Sequence, residues 1–196
     1  MTVYAYVDGP LGEMLLVGEE ATQDRPAREG PARADGLPRA AGTEGGPASG
    51  GGTRGATVLV SLSLPGQKGG AVVQDGWRRA PEAFEAIAAQ LRAYFAGELT
   101  RFDIACAEGG TDFQRRVWRA LEDIPYGATV SYGDIAARIG TPGAGVRAVG
   151  TAIGRNPLLV VRPCHRVIGA DGALRGYAGG LESKQRLLGL EGALAS

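Results

Sequence analysis

Between about Ala21 and Ala56 the chain is dominated by Gly, Pro, Ala, Arg and Glu, with almost no large apolar side chain. Such a stretch cannot bury enough surface to offset the entropy of ordering it, so a disordered loop is predicted there. The foldable material is what flanks it. On the near side, Val3-Tyr4-Ala5-Tyr6-Val7 and Met14-Leu15-Leu16-Val17 read as two strands joined by a turn at Gly9-Pro10-Leu11-Gly12. On the far side, Thr57 to Leu64 alternates as a third strand and stops at Pro65-Gly66. Pro81 then opens a helix in which Phe84, Ile87, Leu91, Tyr94 and Phe95 recur at helical spacing, and Gly97 closes it. Strands followed by one helix make a small α/β lobe.

A second lobe begins at Thr111. The series Thr111-Asp112-Phe113-Gln114 fits a capping box, and Phe113, Val117, Leu121 and Ile124 share one helical face before Pro125-Tyr126-Gly127. Ser131 with Asp134 signals another helix start; Ile135, Ala136 and Ile139 follow, and Gly140 ends it. After the turn Thr141-Pro142-Gly143, residues 146–154 read as a short helix, giving the order helix, tight turn, helix. At 196 residues the chain suits one large or two small domains. Two are predicted, 1–108 and 109–196.

Charge is distributed unevenly along a chain whose formal net charge is zero. Residues 111–196 hold 11 Lys and Arg against 7 Asp and Glu, the bias of a nucleic-acid contact surface, though one also common in domains that bind nothing charged. The apolar runs fall far short of a membrane span, and Met1-Thr2-Val3-Tyr4 lacks the basic-then-apolar pattern of a secretory signal. A soluble cytoplasmic chain is therefore expected, with no membrane partner. There Cys106 and Cys164 would both stay reduced. One histidine and two well-separated cysteines do not readily supply four zinc ligands, so no metal is expected.

Chemistry concentrates at Pro163-Cys164-His165-Arg166-Val167, where a thiol stands beside the only histidine, just after an apolar run, Leu158-Leu159-Val160-Val161, that reads as a buried strand. A thiol is a strong nucleophile only as thiolate and needs a base or a positive field to lower its pKa. His165 and Arg166 can supply either; the plain alternative is an inert buried cysteine beside a surface histidine. The 146–154 helix is itself unusual, because Ala148, Gly150, Ala152 and Gly154 make it intrinsically weak. Small residues let a helix backbone approach another helix or the floor of a narrow groove. Of its long polar side chains only Arg147, Arg155 and Asn156 qualify as base readers, which favours sequence-independent minor-groove binding over major-groove readout.

These residues resemble one family closely, the O6-alkylguanine-DNA alkyltransferases, also called methylated-DNA–protein-cysteine methyltransferases. The resemblance runs from about Phe113 to Gly192: Tyr126-Gly127, Val130-Ser131-Tyr132, Arg147-Ala148-Val149-Gly150, Asn156-Pro157, the Pro163 to Val167 segment, Gly176-Tyr177-Ala178-Gly179-Gly180, and Leu187-Leu188-Gly189-Leu190-Glu191-Gly192. In the first lobe, Pro10-Leu11-Gly12 and the helix end Tyr94-Phe95-Ala96-Gly97 look like the family's first domain. The implied fold is α+β: a small ribonuclease H-like α/β lobe followed by a helix-turn-helix, winged-helix-like alkyltransferase domain.

The implied activity is DNA repair by direct reversal. An alkyl group on guanine O6, and on thymine O4, would pass from duplex DNA to Cys164, once per molecule, with no cofactor and no obligate protein partner; the protein would act as a monomer. By resemblance Cys164 is the acceptor, His165 the base acting through a water, and Glu191 the carboxylate that orients His165. Tyr177 would donate to the leaving base at N3, the Ala178 amide would face O6, and the Val167 carbonyl would accept from the exocyclic amine. Gly179 and Gly180 would let the loop close over the base, and Asn156 would brace the turn before the cysteine. Because O6 cannot be reached in line while the base is stacked, the nucleotide must be extruded. Tyr132 would crowd its phosphate next to the Ser131 cap, Arg147 would fill the vacated space, and Ala148 and Gly150 would lie against DNA. Arg175 stands at the expected pocket rim, where many relatives carry a small residue.

Overall fold

The computed structural model describes residues 1–20, 57–143 and 145–194. The predicted disordered loop at 21–56 lies outside them. Strands β1 (Thr2–Gly9) and β2 (Gly12–Glu20) form an antiparallel hairpin that closes at the Gly9–Gly12 pair. Gly12 is required there: its φ is +96°, and a Cβ would stand 2.9 Å from the Pro65 ring. Strand β3 (Thr57–Ser63) pairs antiparallel with β2, as its alternation predicts. A fourth strand, β4 (Arg78–Arg79), runs parallel to β1 and completes the order β3-β2-β1-β4. Two exposed arginines carry no periodicity, so this strand had no signal in the sequence.

Pro81 does open a helical segment, but the first turn, Pro81–Phe84, is 3-10, and α1 proper is Glu85–Phe95. Its face of Ile87, Ala88, Leu91 and Tyr94 is buried on the sheet side, and Gly97, at φ +76°, ends the run. The second half opens with α2 (Asp112–Glu122), whose Thr111–Gln114 capping box forms in both directions. A two-residue strand β5 (Val130–Ser131) leads into α3 (Tyr132–Arg138), capped reciprocally by Ser131 and Asp134. Helix α4 (Gly145–Gly154) follows the tight turn, so the helix-turn-helix is present. Strand β6 (Val167–Ile168) pairs parallel with β5, and α5 (Leu181–Leu190) closes the α+β architecture.

One apolar core runs through both halves, from Val3, Leu16 and Leu91 to Leu121, Ile135, Leu158 and Leu187. Among the described residues, members of this cluster lie on both sides of position 108/109. Two backbone joints tie the halves together. Leu59 exchanges hydrogen bonds with the 105–107 segment (Leu59 N to Ala105 O, and Ala107 N to Leu59 O, both 2.8 Å). Leu62 does the same with the second half, through Leu62 N to Pro157 O (2.9 Å) and Leu159 N to Leu62 O (3.2 Å). Strand β3 thus grips the segment that precedes Cys164.

That segment is not a strand. Leu158 makes one bridge to Leu62, and the chain then reverses: the Val161 amide donates to the Leu159 carbonyl at 2.8 Å around Val160 at φ +69°. This is a γ-turn with a left-handed centre, a conformation that costs a non-glycine residue about 1–2 kcal/mol. A run of four apolar residues signals burial, and all but the half-buried Val161 are buried, but it cannot separate an extended strand from a packed turn. Cys164 and His165 likewise sit in a 3-10 turn, Cys164–Arg166, rather than on an extended segment.

Candidate active site

The tight turn is held by Asn156. Its Oδ1 accepts from the Leu158 amide (3.0 Å), while Nδ2 faces the carbonyls of Leu158 (3.3 Å) and Arg162 (3.1 Å) and the sulfur of Cys164 (3.2 Å). Each such bond contributes about 1 kcal/mol, enough together to hold Val160 in its strained conformation. Cys164 is 3 % exposed, yet it is not sealed. It lines a pocket of about 230 Å³ with Lys68, Tyr132, Gly150, Ile153, Gly154, Gly176, Tyr177 and Ala178. Residues of both halves, those of α4 among them, thus line the pocket that Cys164 borders.

Burial pushes the thiol up to about 11, against the Asn156 hydrogen bond and the Lys184 and Arg162 charges. The sequence reading, in which neighbours lower the thiol pKa, is corrected here: desolvation outweighs them. Arg166 is also not available to the sulfur. It is committed to Glu191, with Nε to Oε2 at 2.8 Å and Nη2 to Oε1 at 2.9 Å, and its Nη1 donates to the Ile124 carbonyl at 2.5 Å.

Glu191 caps the end of α5 and is 5 % exposed. Besides Arg166 it accepts from Tyr94 Oη (2.6 Å) and lies 2.8 Å from His165 Nε2. Burial alone would raise its pKa, but the hydrogen bonds from His165 and Arg166 prevail and hold it at about 2. A solvated helix-end acid is thereby excluded. An ionised Glu191 fixes the imidazole tautomer, because Nε2 must carry the proton it donates, leaving Nδ1 as the basic nitrogen. Nδ1 is buried and has no hydrogen-bond partner among the described residues. Desolvation lowers the His165 pKa despite Glu191, so the ring is held neutral, as a base requires.

Tyr177 also lines the pocket, and its buried Oη is unpartnered among the described residues. Burial raises its pKa well above the usual phenol value, so it stays a donor. Tyr132, the first residue of α3, donates Oη to the Arg175 carbonyl (3.2 Å) and edges the same pocket. Arg175 itself turns outward to Asp171 (2.6 Å). At the start of α3, the Asp134 carboxylate takes the Ser131 amide and hydroxyl, both at 2.7 Å. Arg147 and Ala148 are exposed on α4, while Gly150 faces the pocket.

Of the four residues expected to line the base pocket, Ala178 does so. Val167 is buried, and its carbonyl receives Lys184 Nζ at 2.6 Å. Gly179 packs on the first half: a Cβ there would stand 2.5 Å from Leu64 Cδ1 and 3.0 Å from the Tyr177 ring. Gly180 caps α5 at φ +89°. Lys184 was not singled out in the sequence, since one lysine on an amphipathic helix reads as solvated. Here it is fully buried; its Nζ also bonds the Arg175 carbonyl at 2.7 Å, and burial lowers its pKa to about 8. Its spacing with Leu187 and Leu188 on α5 is the signal that could have found it. Helical spacing and the Tyr94-Phe95-Ala96-Gly97 helix end mark Tyr94 in the sequence without giving it a place at the site; its hydroxyl brings the first half to Glu191. Among the described residues no cluster of three His, Cys, Asp or Glu side chains could hold a metal.

Comparison with known proteins agrees with this geometry. The family described as 6-O-methylguanine DNA methyltransferase, DNA binding domain, matches residues 112–193. A methylated-DNA–protein-cysteine methyltransferase of Mycolicibacterium paratuberculosis is 63 % identical over 116 residues, 59 % of this chain and 70 % of the relative. One from Methanosarcina acetivorans is 56 % identical over 120 residues, 61 % of this chain and 76 % of the relative. The crystal structure of Mycobacterium tuberculosis OGT in complex with DNA superposes with a TM-score of 0.72 at 40 % identity, covering 97 % of this chain and 92 % of that one. With a relative this similar matched over most of its length, and a pocketed cysteine backed by a buried His–Glu pair, the chain belongs to the methylated-DNA–protein-cysteine methyltransferase family.

Proposed function

We propose that this protein repairs alkylated duplex DNA by moving a methyl or small alkyl group from guanine O6, and from thymine O4, onto Cys164. The observation that carries this reading is that Cys164 lines a pocket together with residues of α3 and α4 of the helix-turn-helix, while the next residue, His165, is paired with a buried carboxylate. Sulfur attacks the alkyl carbon as the carbon–O6 bond breaks, and the electron pair of that bond passes into the purine. The thiol proton goes through a water to His165 Nδ1, and Glu191 stabilises the imidazolium. With the thiol at about 11, little thiolate exists at neutral pH, so proton removal must accompany attack rather than precede it.

The charge that develops on the leaving guanine meets the Tyr177 hydroxyl at N3 and the Ala178 amide at O6. The Val167 carbonyl retains a second lone pair for the exocyclic amine beside its bond to Lys184. Tyr132 and Arg147 extrude the nucleotide and hold its place, with Ala148 and Gly150 letting α4 approach the groove floor. The thioether is not reversed, so each molecule acts once. Two unpaired thiols suit the reducing cytoplasm. Among the described residues no helix is long and apolar enough to cross a membrane.

Intact mass of the protein after incubation with duplex containing O6-methylguanine tests the reading. One methyl should appear per molecule, located on the peptide carrying Cys164, and Cys164→Ala should gain none while still binding DNA. Methylation of the Ala variant, or release of methanol by the wild type, would refute it.

A further inference from the structure

Arg162 lies two residues before the acceptor, 9 % exposed, in a setting unlike that of a surface arginine. Its guanidinium stacks over the Trp118 ring, 5.0 Å from the centroid, and Nε donates to Glu122 Oε1 at 2.8 Å. The remaining edge points inward, with Nη1 at 3.4 Å from Asn156 Oδ1. Asn156 in turn presents Nδ2 to Cys164 Sγ. Trp118 is itself fixed, because Nε1 donates to the Ala152 carbonyl of α4 at 2.9 Å. A planar cation is therefore clamped on one side by α2 and offers a donor on the other to the carboxamide that touches the sulfur.

We propose that Arg162 is a positioning residue for alkyl transfer: clamped by Glu122 and Trp118, it holds the Asn156 carboxamide with its oxygen outward and its N–H groups toward Cys164. The proposal rests on Cys164 being the acceptor. Turning the carboxamide over would aim a carbonyl dipole at a sulfur that becomes negative as it attacks, and would leave the Leu158 amide facing an N–H group. A cation on Oδ1 opposes that rotation and strengthens the N–H donors opposite it. Lysine does not replace Arg162, because a single ammonium lacks the fork that serves Glu122 and Asn156 together while sitting over an indole.

The test measures transfer from free O6-benzylguanine, which needs no DNA contact, across a pH series. Arg162→Met keeps the stem and removes the charge; it should react about tenfold more slowly at neutral pH, with the alkaline rise of the pH–rate profile displaced upward. Thermal unfolding and DNA binding, run alongside, separate this from a merely structural role, which would lower stability and leave the profile in place. A profile that superimposes on that of the wild type overturns the proposal. In an Asn156→Ala background the same substitution should change the rate by no more than about twofold; a full further loss shows that Arg162 acts by another route and overturns the positioning role. If the methionine variant does not fold, Arg162→Lys is the readout, expected to be slower than wild type with less displacement of the profile, and an unchanged rate sinks the idea. Failure of the wild type itself to take up benzyl would instead count against Cys164 as acceptor.

Discussion

Glu191→Gln removes one negative charge from a side chain that solvent does not reach and that faces Tyr94 Oη, His165 Nε2 and two nitrogens of Arg166. Two routes give the size of the effect. Breaking a buried ion pair from one side costs about 3–5 kcal/mol, here because Arg166 is left without its counter-charge. Linkage gives a similar figure: lowering the carboxyl pKa from 4.5 to about 2 on folding corresponds to about 3 kcal/mol of stability. Because the folded pKa is depressed, that contribution is complete above about pH 5 and is lost as pH falls toward 2. Urea unfolding of wild type and variant should therefore differ by about 3 kcal/mol at neutral pH. The gap should close as acid protonates Glu191 and makes the two proteins alike. A total stability of roughly 5–15 kcal/mol leaves the variant folded under native conditions, so transfer can be measured on the same samples. It should fall on the order of a hundredfold, since the imidazolium loses its ionised partner. A gap below about 1 kcal/mol at neutral pH, or one that does not narrow in acid, would refute the ionised, hydrogen-bonded state of Glu191.

Tyr177→Phe separates catalysis from stability. Its hydroxyl is buried without a partner among the described residues, so stability should stay within about 0.5 kcal/mol of wild type while transfer slows by about ten- to a hundredfold; an unchanged rate removes Tyr177 as the donor to the leaving base. Arg147→Ala should impair repair of duplex far more than reaction with free O6-benzylguanine, and comparable loss on both substrates would contradict a role in holding the extruded state.

The elements with the strongest local signals were legible in advance. Both capping boxes, at Thr111 and Ser131, fall where the Thr-x-x-Gln and Ser-x-x-Asp spacing puts them, because a cap is closed by residues three apart and needs nothing distant. The hairpin of β1 and β2, the β3 alternation and the Gly97 and Gly140 stops are equally local. Strand β4 and the γ-turn at Val160 were not legible. The first is made by backbone pairing alone, and the second by an Asn156 side chain that satisfies a turn the local sequence disfavours.

The same division holds at the site. The Pro163 to Val167 segment sets a thiol beside an imidazole in the sequence itself, whereas Glu191 joins them only through the family resemblance; the fold then brings the Glu191 carboxylate to 2.8 Å from His165 Nε2. Their electrostatic state is another matter. That the thiol is driven up rather than down, that Arg166 serves Glu191 instead of the sulfur, that Lys184 is buried among carbonyls and that Tyr94 reaches across from the first half all depend on desolvation and on which groups meet in space. Sequence fixes which groups are available; burial sets the energy of each charge, and burial is a property of the whole fold.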